Sequence, residues 1–236
     1  MTKFEEISNK ITFLEEKHKY FLGKKELISV TTLLNHYKNK FDPEGHILRA
    51  CAKRDGISTV KLKEKWNKER DDACERGNRL HSQLEYFIKT KEILDEDYKE
   101  VVEQFSKIKF NGELYSETKI FSKNFNIAGT VDFIELLNND TINIGDFKQN
   151  KKIRLESKYD NKLIYPLDSY EECEFNIYTF QINLYSYILK EHGYKTNKMT
   201  LYYFPPLKNI IEIFNIPKKE EETIKLLEHF NLINNI

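Results

Sequence analysis

The chain of 236 residues has little of what marks several common classes of protein. Its 3 cysteines, Cys51, Cys74 and Cys173, lie far apart and form no CxxC pair. Such an odd, dispersed set argues against a disulfide framework and against a zinc site or an iron–sulfur cluster, so we expect free thiols, buried or half-buried. The sequence also lacks a GxxxxGK loop, which excludes the nucleotide-driven motor of a P-loop protein.

Long apolar runs and an excess of one charge are missing as well. No stretch of about 18 apolar residues occurs, so no membrane span is expected. The first residues carry acids and no apolar segment, which predicts no secretory signal. The 38 basic residues balance the 38 acidic ones. This balance counts mildly against a nucleic-acid binder but does not exclude one whose lysines are clustered.

Glycine (8) and proline (5) are scarce, and no repeat or low-complexity linker divides the chain. We therefore expect one domain over residues 1–236, with a hairpin and helices in 1–110 and an α/β part in 111–236. The predicted hairpin pairs 19–22 with 27–30, and the polar stretch 149–168 is predicted as a loop. Helices are predicted at 32–37, 42–55, 60–89, 95–107, 171–192 and 218–230, and strands at 114–121, 127–137, 141–148, 198–204 and 210–216. This order predicts an α/β fold with a central mixed sheet flanked by helices.

Two of the predicted strands carry charged residues in apolar surroundings. Asp132 lies in the strand Ile127-Ala-Gly-Thr-Val-Asp-Phe-Ile, and Asp146 and Lys148 lie two residues apart in the next strand. Burying carboxylates in a sheet is costly unless a cation or hydrogen bonds neutralise them, and a hard divalent cation prefers oxygen ligands. Lys148 would then stand beside that cation and stabilise negative charge on a phosphate. The alternative is that Asp132 only ends a strand and that Asp146 and Lys148 form a surface ion pair.

The order of these residues resembles motifs II and III of the PD-(D/E)XK nuclease superfamily, because Gly129-Thr-Val-Asp132 is followed fourteen residues later by Asp146-Phe-Lys148. Gln181-Ile-Asn-Leu-Tyr185 resembles the QxxxY motif of the RecB-type exonuclease branch. Arg76-Gly77-Asn-Arg-Leu-His81-Ser-Gln-Leu-Glu85 resembles the RGxxxHxxxE helix of the same branch. Ser29-Val-Thr31 is similar to the N-terminal part of phage exonucleases and of mitochondrial genome-maintenance exonucleases. The resemblance covers residues 20 to 215.

The resemblance implies a restriction-endonuclease-like core with an N-terminal hairpin and helices. It implies that Asp132, Asp146 and Lys148 are catalytic. It also implies that Mg²⁺ or Mn²⁺ is bound by His81, Asp132, Asp146 and the backbone carbonyl of Phe147. Its implied activity is hydrolysis of DNA phosphodiesters, on DNA ends or single strands, in the cytoplasm of a bacterial or phage-infected cell. Replication or recombination proteins are the implied partners. A structure-specific or CRISPR-type endonuclease and a non-catalytic nucleic-acid binder are the alternatives.

Several residues have two interpretations at this stage. His81 is a metal ligand or a hydrogen-bonded structural histidine, and Glu85 turns toward the site or pairs with a neighbouring cation. Glu117 is a further candidate ligand to the metal or to its water. The remaining predicted residues are Gln181 and Tyr185, which contact DNA or brace the site, and Lys151, Lys152 and Arg154, which follow phosphates unless they are only solvated. The first sixty residues form either a lid or plain packing.

Overall fold

The computed structural model describes residues 2–40, 45–206 and 208–234. It is an α/β structure built on a mixed sheet of eight strands with helices on both faces, which confirms the predicted fold class. The elements follow one another as α1 (Lys3–Ser8), β1 (Ile11–Leu14), β2 (Lys19–Leu22), β3 (Lys25–Ser29), α2 (Val30–Asn35), α3 (His46–Asp55), α4 (Thr59–Thr90), α5 (Lys99–Ser106), β4 (Glu113–Phe121), β5 (Ile127–Leu136), β6 (Thr141–Lys148), α6 (Glu174–Glu191), β7 (Lys195–Tyr203), β8 (Glu212–Asn215) and α7 (Glu220–Asn234).

The long helix α4 contains Gly77 and yet runs unbroken for 32 residues. Its first half packs against α3 through Leu62, and its second half packs on the sheet through Leu80 and Leu84. The predicted helix 171–192 starts later, at Glu174. Its first residues are extended instead, since Glu171 pairs with Lys162 in an isolated bridge. The predicted helix 95–107 is divided into a 3-10 turn at Glu96–Tyr98 and α5.

Two elements near the N-terminus were not predicted, namely helix α1 and strand β1. Helix α1 is stabilised by a capping box, in which the Thr2 hydroxyl accepts from the Glu5 amide and the Glu5 carboxylate accepts from the Thr2 amide. The start of the predicted helix 42–55 lies outside the described residues, and its described part begins at His46. Among the described residues, no helix combines the length and the apolar character that crossing a bilayer requires.

The core lies on both faces of the sheet. One large apolar cluster includes Leu33 of α2, Leu184 of α6 and Leu226 of α7, and it covers the first face. A second cluster, with Leu84 of α4 and Phe105 of α5, covers the other face. Burying a side chain of this size stabilises the fold by about 1.5–3 kcal/mol. The two clusters hold α4 and α6 on opposite sides of the same strands. Side chains from both helices can therefore meet where those strands end.

Strand β5 has an irregular set of neighbours, and this creates a gap in the sheet. β4 pairs antiparallel with β5 along one edge, from Ala128 to Leu136. The other edge is therefore shared by two strands: β3 pairs with Ile127 and Ala128, and β6 pairs from Phe133 onward. Between them, residues 129–132 have no strand partner on that edge within the described part of the chain.

Candidate metal centre

Asp132 lies where β5 and β6 separate. The ladder between these strands ends at the pair Phe133–Gly145, so the next backbone groups of β6 need other partners. The Phe147 amide donates instead to Asp132 Oδ2 at 2.7 Å. The carboxylate thus replaces a missing ladder bond, while its other oxygen, Oδ1, points toward α4, since it lies 3.7 Å from His81 Nδ1.

Helix α4 lies on the face of the sheet opposite α6, and it brings His81 to this gap. Leu80 and Leu84 of the same helix are fully buried, and their packing fixes the helix against the sheet. His81 Nε2 lies 3.1 Å from the Phe147 carbonyl oxygen. His81 Nδ1 lies 3.3 Å from Glu117 Oε1. The imidazole therefore stands among one carbonyl and two carboxylates.

Glu117 completes the group through an unusual backbone conformation. It lies within strand β4, yet its φ is 48°, in the left-handed region that side-chain-bearing residues rarely adopt. Such a conformation costs about 1–3 kcal/mol and persists only where the surrounding structure holds the residue in place. Conformations of this kind concentrate at functional sites. One ligand atom from each of His81, Glu117 and Asp132 lies within 4.8 Å of the others, a spacing that could hold a metal ion.

Asp146 and Lys148 lie beside this triad and form a second, more deeply buried layer. Asp146 is 1% exposed, and its Oδ2 forms an ion pair with Lys148 Nζ. Its Oδ1 accepts from Gln181 Nε2 at 3.2 Å, and the same amide donates to the Tyr185 hydroxyl at 2.9 Å. Gln181 and Tyr185 therefore brace Asp146 from α6, as one of their two predicted roles requires.

The two buried carboxylates of the group have positive charge beside them. Burial raises the pKa of Asp132 and of Asp146, so both carboxylates resist ionisation unless positive charge is near. Burial lowers the pKa of His81, but Asp132 and Glu117 raise it by more, to about 9, so the imidazole carries a proton that a metal ion would displace on binding. Burial likewise lowers the pKa of Lys148, and Asp146 outweighs this effect, so the side chain remains a cation.

The donor set fits a divalent cation. One imidazole nitrogen, two carboxylates and the Phe147 carbonyl are the kinds of ligand that Mg²⁺ and Mn²⁺ accept. Asp146 Oδ2 is paired with the Lys148 ammonium, so this carboxylate would reach a cation only in addition to that ion pair. Glu117, predicted only as a further candidate, belongs to the compact triad, whereas Asp146 stands beside it.

Other predicted residues lie farther from the metal group. Glu85 borders the same cavity, but its carboxylate contacts Lys89 one turn along the helix. The three basic residues after β6 do not line the cavity. Lys151 pairs with Glu69 on the surface, Arg154 is held by Glu174 at the start of α6, and Lys152 is exposed. All three cysteines are free as expected, although Cys74 is exposed and not half-buried.

The N-terminal segment contributes a wall that the sequence did not reveal. The cavity around the triad has a volume of about 590 Å³ and lies between α4 and the strands β1 and β2. From the N-terminal side it is lined by Phe13, Glu15, His18, Tyr20 and the start of α2 at Ser29, Val30 and Thr31. Ser29 caps α2 by accepting from the Thr32 amide. Residues between 1 and 60 are thus part of the site's surroundings.

No family model matches the chain, and no curated protein matches it. A solved structure described as "Crystal structure of SSO0001" aligns with 99% of this chain and 85% of its own. Its sequence identity is 14% and its TM-score is 0.45, a likeness that does not bear on function.

Proposed function

We propose that the protein is a metal-dependent DNA nuclease that hydrolyses phosphodiesters at DNA ends or in single strands. The observation that carries the proposal is the convergence of His81, Glu117 and Asp132 from three separate elements, with Lys148 and Asp146 beside them. These residues are distant in sequence, and two carboxylates that face one imidazole offer the oxygen and nitrogen donors that a divalent cation accepts. The resemblance of the motifs to PD-(D/E)XK nucleases supports the same chemistry.

The roles of the side chains follow from their positions. His81, Glu117 and Asp132, with the Phe147 carbonyl and Asp146, would hold Mg²⁺ or Mn²⁺. When bound, such an ion activates water and neutralises charge on a phosphate. Lys148 remains protonated and would donate a hydrogen bond to a non-bridging phosphate oxygen, where negative charge builds up as water adds to phosphorus. The sugar oxygen leaves with the electron pair of its broken bond and takes up a proton from solvent.

Gln181 and Tyr185 keep Asp146 in place through one continuous set of hydrogen bonds. The amide nitrogen of Gln181 donates to both Asp146 and Tyr185, so Gln181 positions the Asp146 carboxylate rather than the substrate. The ammonium of Lys148 also lies 5.0 Å from the centre of the Tyr178 ring, which limits where it can swing. These contacts supply the preorganisation that phosphodiester hydrolysis requires.

The shape of the cavity supports an action on strands that are not part of an intact duplex. α4 bounds the triad on one side and the hairpin of β1 and β2 bounds it on the other. A single strand or a strand end can pass between such walls more readily than a continuous double helix. A circular single-stranded DNA distinguishes the two modes, because an enzyme that needs ends leaves the circle intact.

The proposal is tested by following labelled linear DNA with Mg²⁺, with Mn²⁺ and with a chelator. Lys148→Met and Asp132→Asn are each expected to lower the rate about 100-fold or more, since each removes charge at the reacting phosphate. Asp140→Asn, in the exposed turn before β6, and Lys195→Ala, at the far end of β7, are matched controls that keep full activity. Degradation that persists in Lys148→Met, or that needs no metal, would contradict the proposal.

A further inference from the structure

Three aromatic rings form a continuous group on the hairpin of β1 and β2. The ring centroids of Phe13 and Tyr20 are 4.5 Å apart, and those of Phe13 and His18 are 5.2 Å apart with nearly perpendicular planes. Tyr20 is buried, Phe13 is half-buried and His18 is exposed. The group, called here the hairpin aromatic cluster, therefore leads from the solvent to the interior.

This cluster borders the cavity of the metal triad. All three of its residues line the same cavity as His81 and Asp132. The Tyr20 hydroxyl lies 3.0 Å from Thr130 Oγ1, and Thr130 is two residues before Asp132 on β5. A substrate whose phosphate reached the triad would bring its neighbouring groups against these rings.

His18 has a backbone conformation that would suit glycine better. Its φ is 50°, in the left-handed region, where it ends the 3-10 turn Glu15–Lys17. Glycine adopts this region freely, and histidine is one of the few residues with a side chain that are enriched there. The chain places an imidazole at this position, and the ring packs edge-on against Phe13 at the mouth of the cavity.

The charges around the cavity indicate which part of a nucleic acid belongs at the hairpin. Among the described residues that line the cavity, the hairpin supplies the acid Glu15 but no lysine or arginine. The lysine of the cavity, Lys148, lies beside the triad instead. A wall of aromatic rings without a cation among its lining residues offers a phosphate no partner, but it accepts the flat, uncharged face of a base.

We infer that the hairpin aromatic cluster is a stacking site for one unpaired nucleobase adjacent to the scissile phosphate. This inference rests on the proposed nuclease function and deepens it, because it specifies the substrate as nucleic acid unpaired at the cut. A base in an intact duplex has both faces covered by its neighbours and cannot lie on Phe13 and His18.

The test uses short single strands in which one base at a time is missing. Their affinities are measured by fluorescence anisotropy with Mn²⁺, using protein that carries Lys148→Met to suppress cleavage. His18→Gly removes the ring and relieves the backbone, so the variant is expected to fold, and Phe13→Leu removes the ring while staying apolar. Lys91→Gly is the matched control, since Lys91 also has a left-handed φ, of 65°, and does not line the cavity.

We expect one position at which the missing base weakens binding about tenfold. In His18→Gly and in Phe13→Leu that position disappears, while Lys91→Gly retains it. A profile without such a position, or one that both variants leave unchanged, would overturn the stacking site. Hydrolysis of bis(p-nitrophenyl) phosphate, which has no base, is measured separately in the chain with Lys148 intact. If the protein did not hydrolyse this substrate, the result would count against the nuclease function and not against the stacking site.

Discussion

Gly129 lies in the gap of the sheet, and its replacement by alanine tests how firmly α6 braces the site. A Cβ built at this position would lie 2.6 Å from Cε1 of Tyr185, about 0.8 Å closer than the 3.4 Å at which ordinary contact begins. Tyr185 is buried, and its hydroxyl accepts from Gln181, which also donates to Asp146. The ring therefore cannot move without disturbing the partner of Asp146.

Overpacking of this kind costs about 1–3 kcal/mol, which corresponds to a fall in melting temperature of about 2–12 °C for a chain of this length. We expect Gly129→Ala to lower the free energy of unfolding by that amount in urea titrations, and to weaken binding of Mn²⁺. Tyr185→Leu removes the ring atoms that clash, so the double variant should be more stable than the sum of the single effects indicates.

Gly77 provides the matched control, because a Cβ there would meet no atom within 4 Å. Gly77→Ala lies in the interior of α4 and should stabilise the protein by about 0.5–1 kcal/mol. If Gly129→Ala unfolds within roughly 0.5 kcal/mol of the wild type, the ring of Tyr185 is not held as described, and the reasoning about α6 is wrong.

Three further predictions concern individual side chains. Burial lowers the pKa of His192, so as the pH falls below 6.5 the unfolded chain takes up a proton before the folded chain does. Urea unfolding at about pH 5.5 should therefore show a lower free energy of unfolding than at neutral pH, and His192→Gln should reduce this loss. Glu117→Gly should raise the metal-free stability by about 1 kcal/mol by relieving its left-handed backbone, and calorimetric titration should show weaker Mn²⁺ binding. Arg154→Ala should lower the free energy of unfolding by about 1 kcal/mol through loss of its bonds to Glu174, yet weaken DNA binding less than Lys152→Ala does in filter-binding assays.

Much of the fold and part of the site could be predicted because their signals are periodic. The strands with Asp132, Asp146 and Lys148 were recognised from apolar runs that contain a charge, and α4 from its helical spacing. Helix α1 was missed, although Thr2-x-x-Glu5 is a capping signal that the sequence displays. An element as short as α1 contains too few residues to show a recognisable periodic pattern.

The remaining features depend on geometry that the sequence does not encode locally. The position of Glu117 depends on a positive φ inside a strand, and no residue type in that segment predicts this conformation. The gap at 129–132 arises because β3 and β6, far apart in the chain, share one edge of β5. The wall containing Phe13 and His18 likewise depends on how the N-terminal strands join the sheet.

The most direct measurement is the anomalous scattering of Mn²⁺ in crystals of the protein. A bound ion is expected within bonding distance of His81, Glu117 and Asp132, close to the Phe147 carbonyl, and it should vanish in Asp132→Asn. A map with no ion between these side chains at saturating Mn²⁺, or with the ion bound at another surface, would contradict the claim that the three converge to hold a metal.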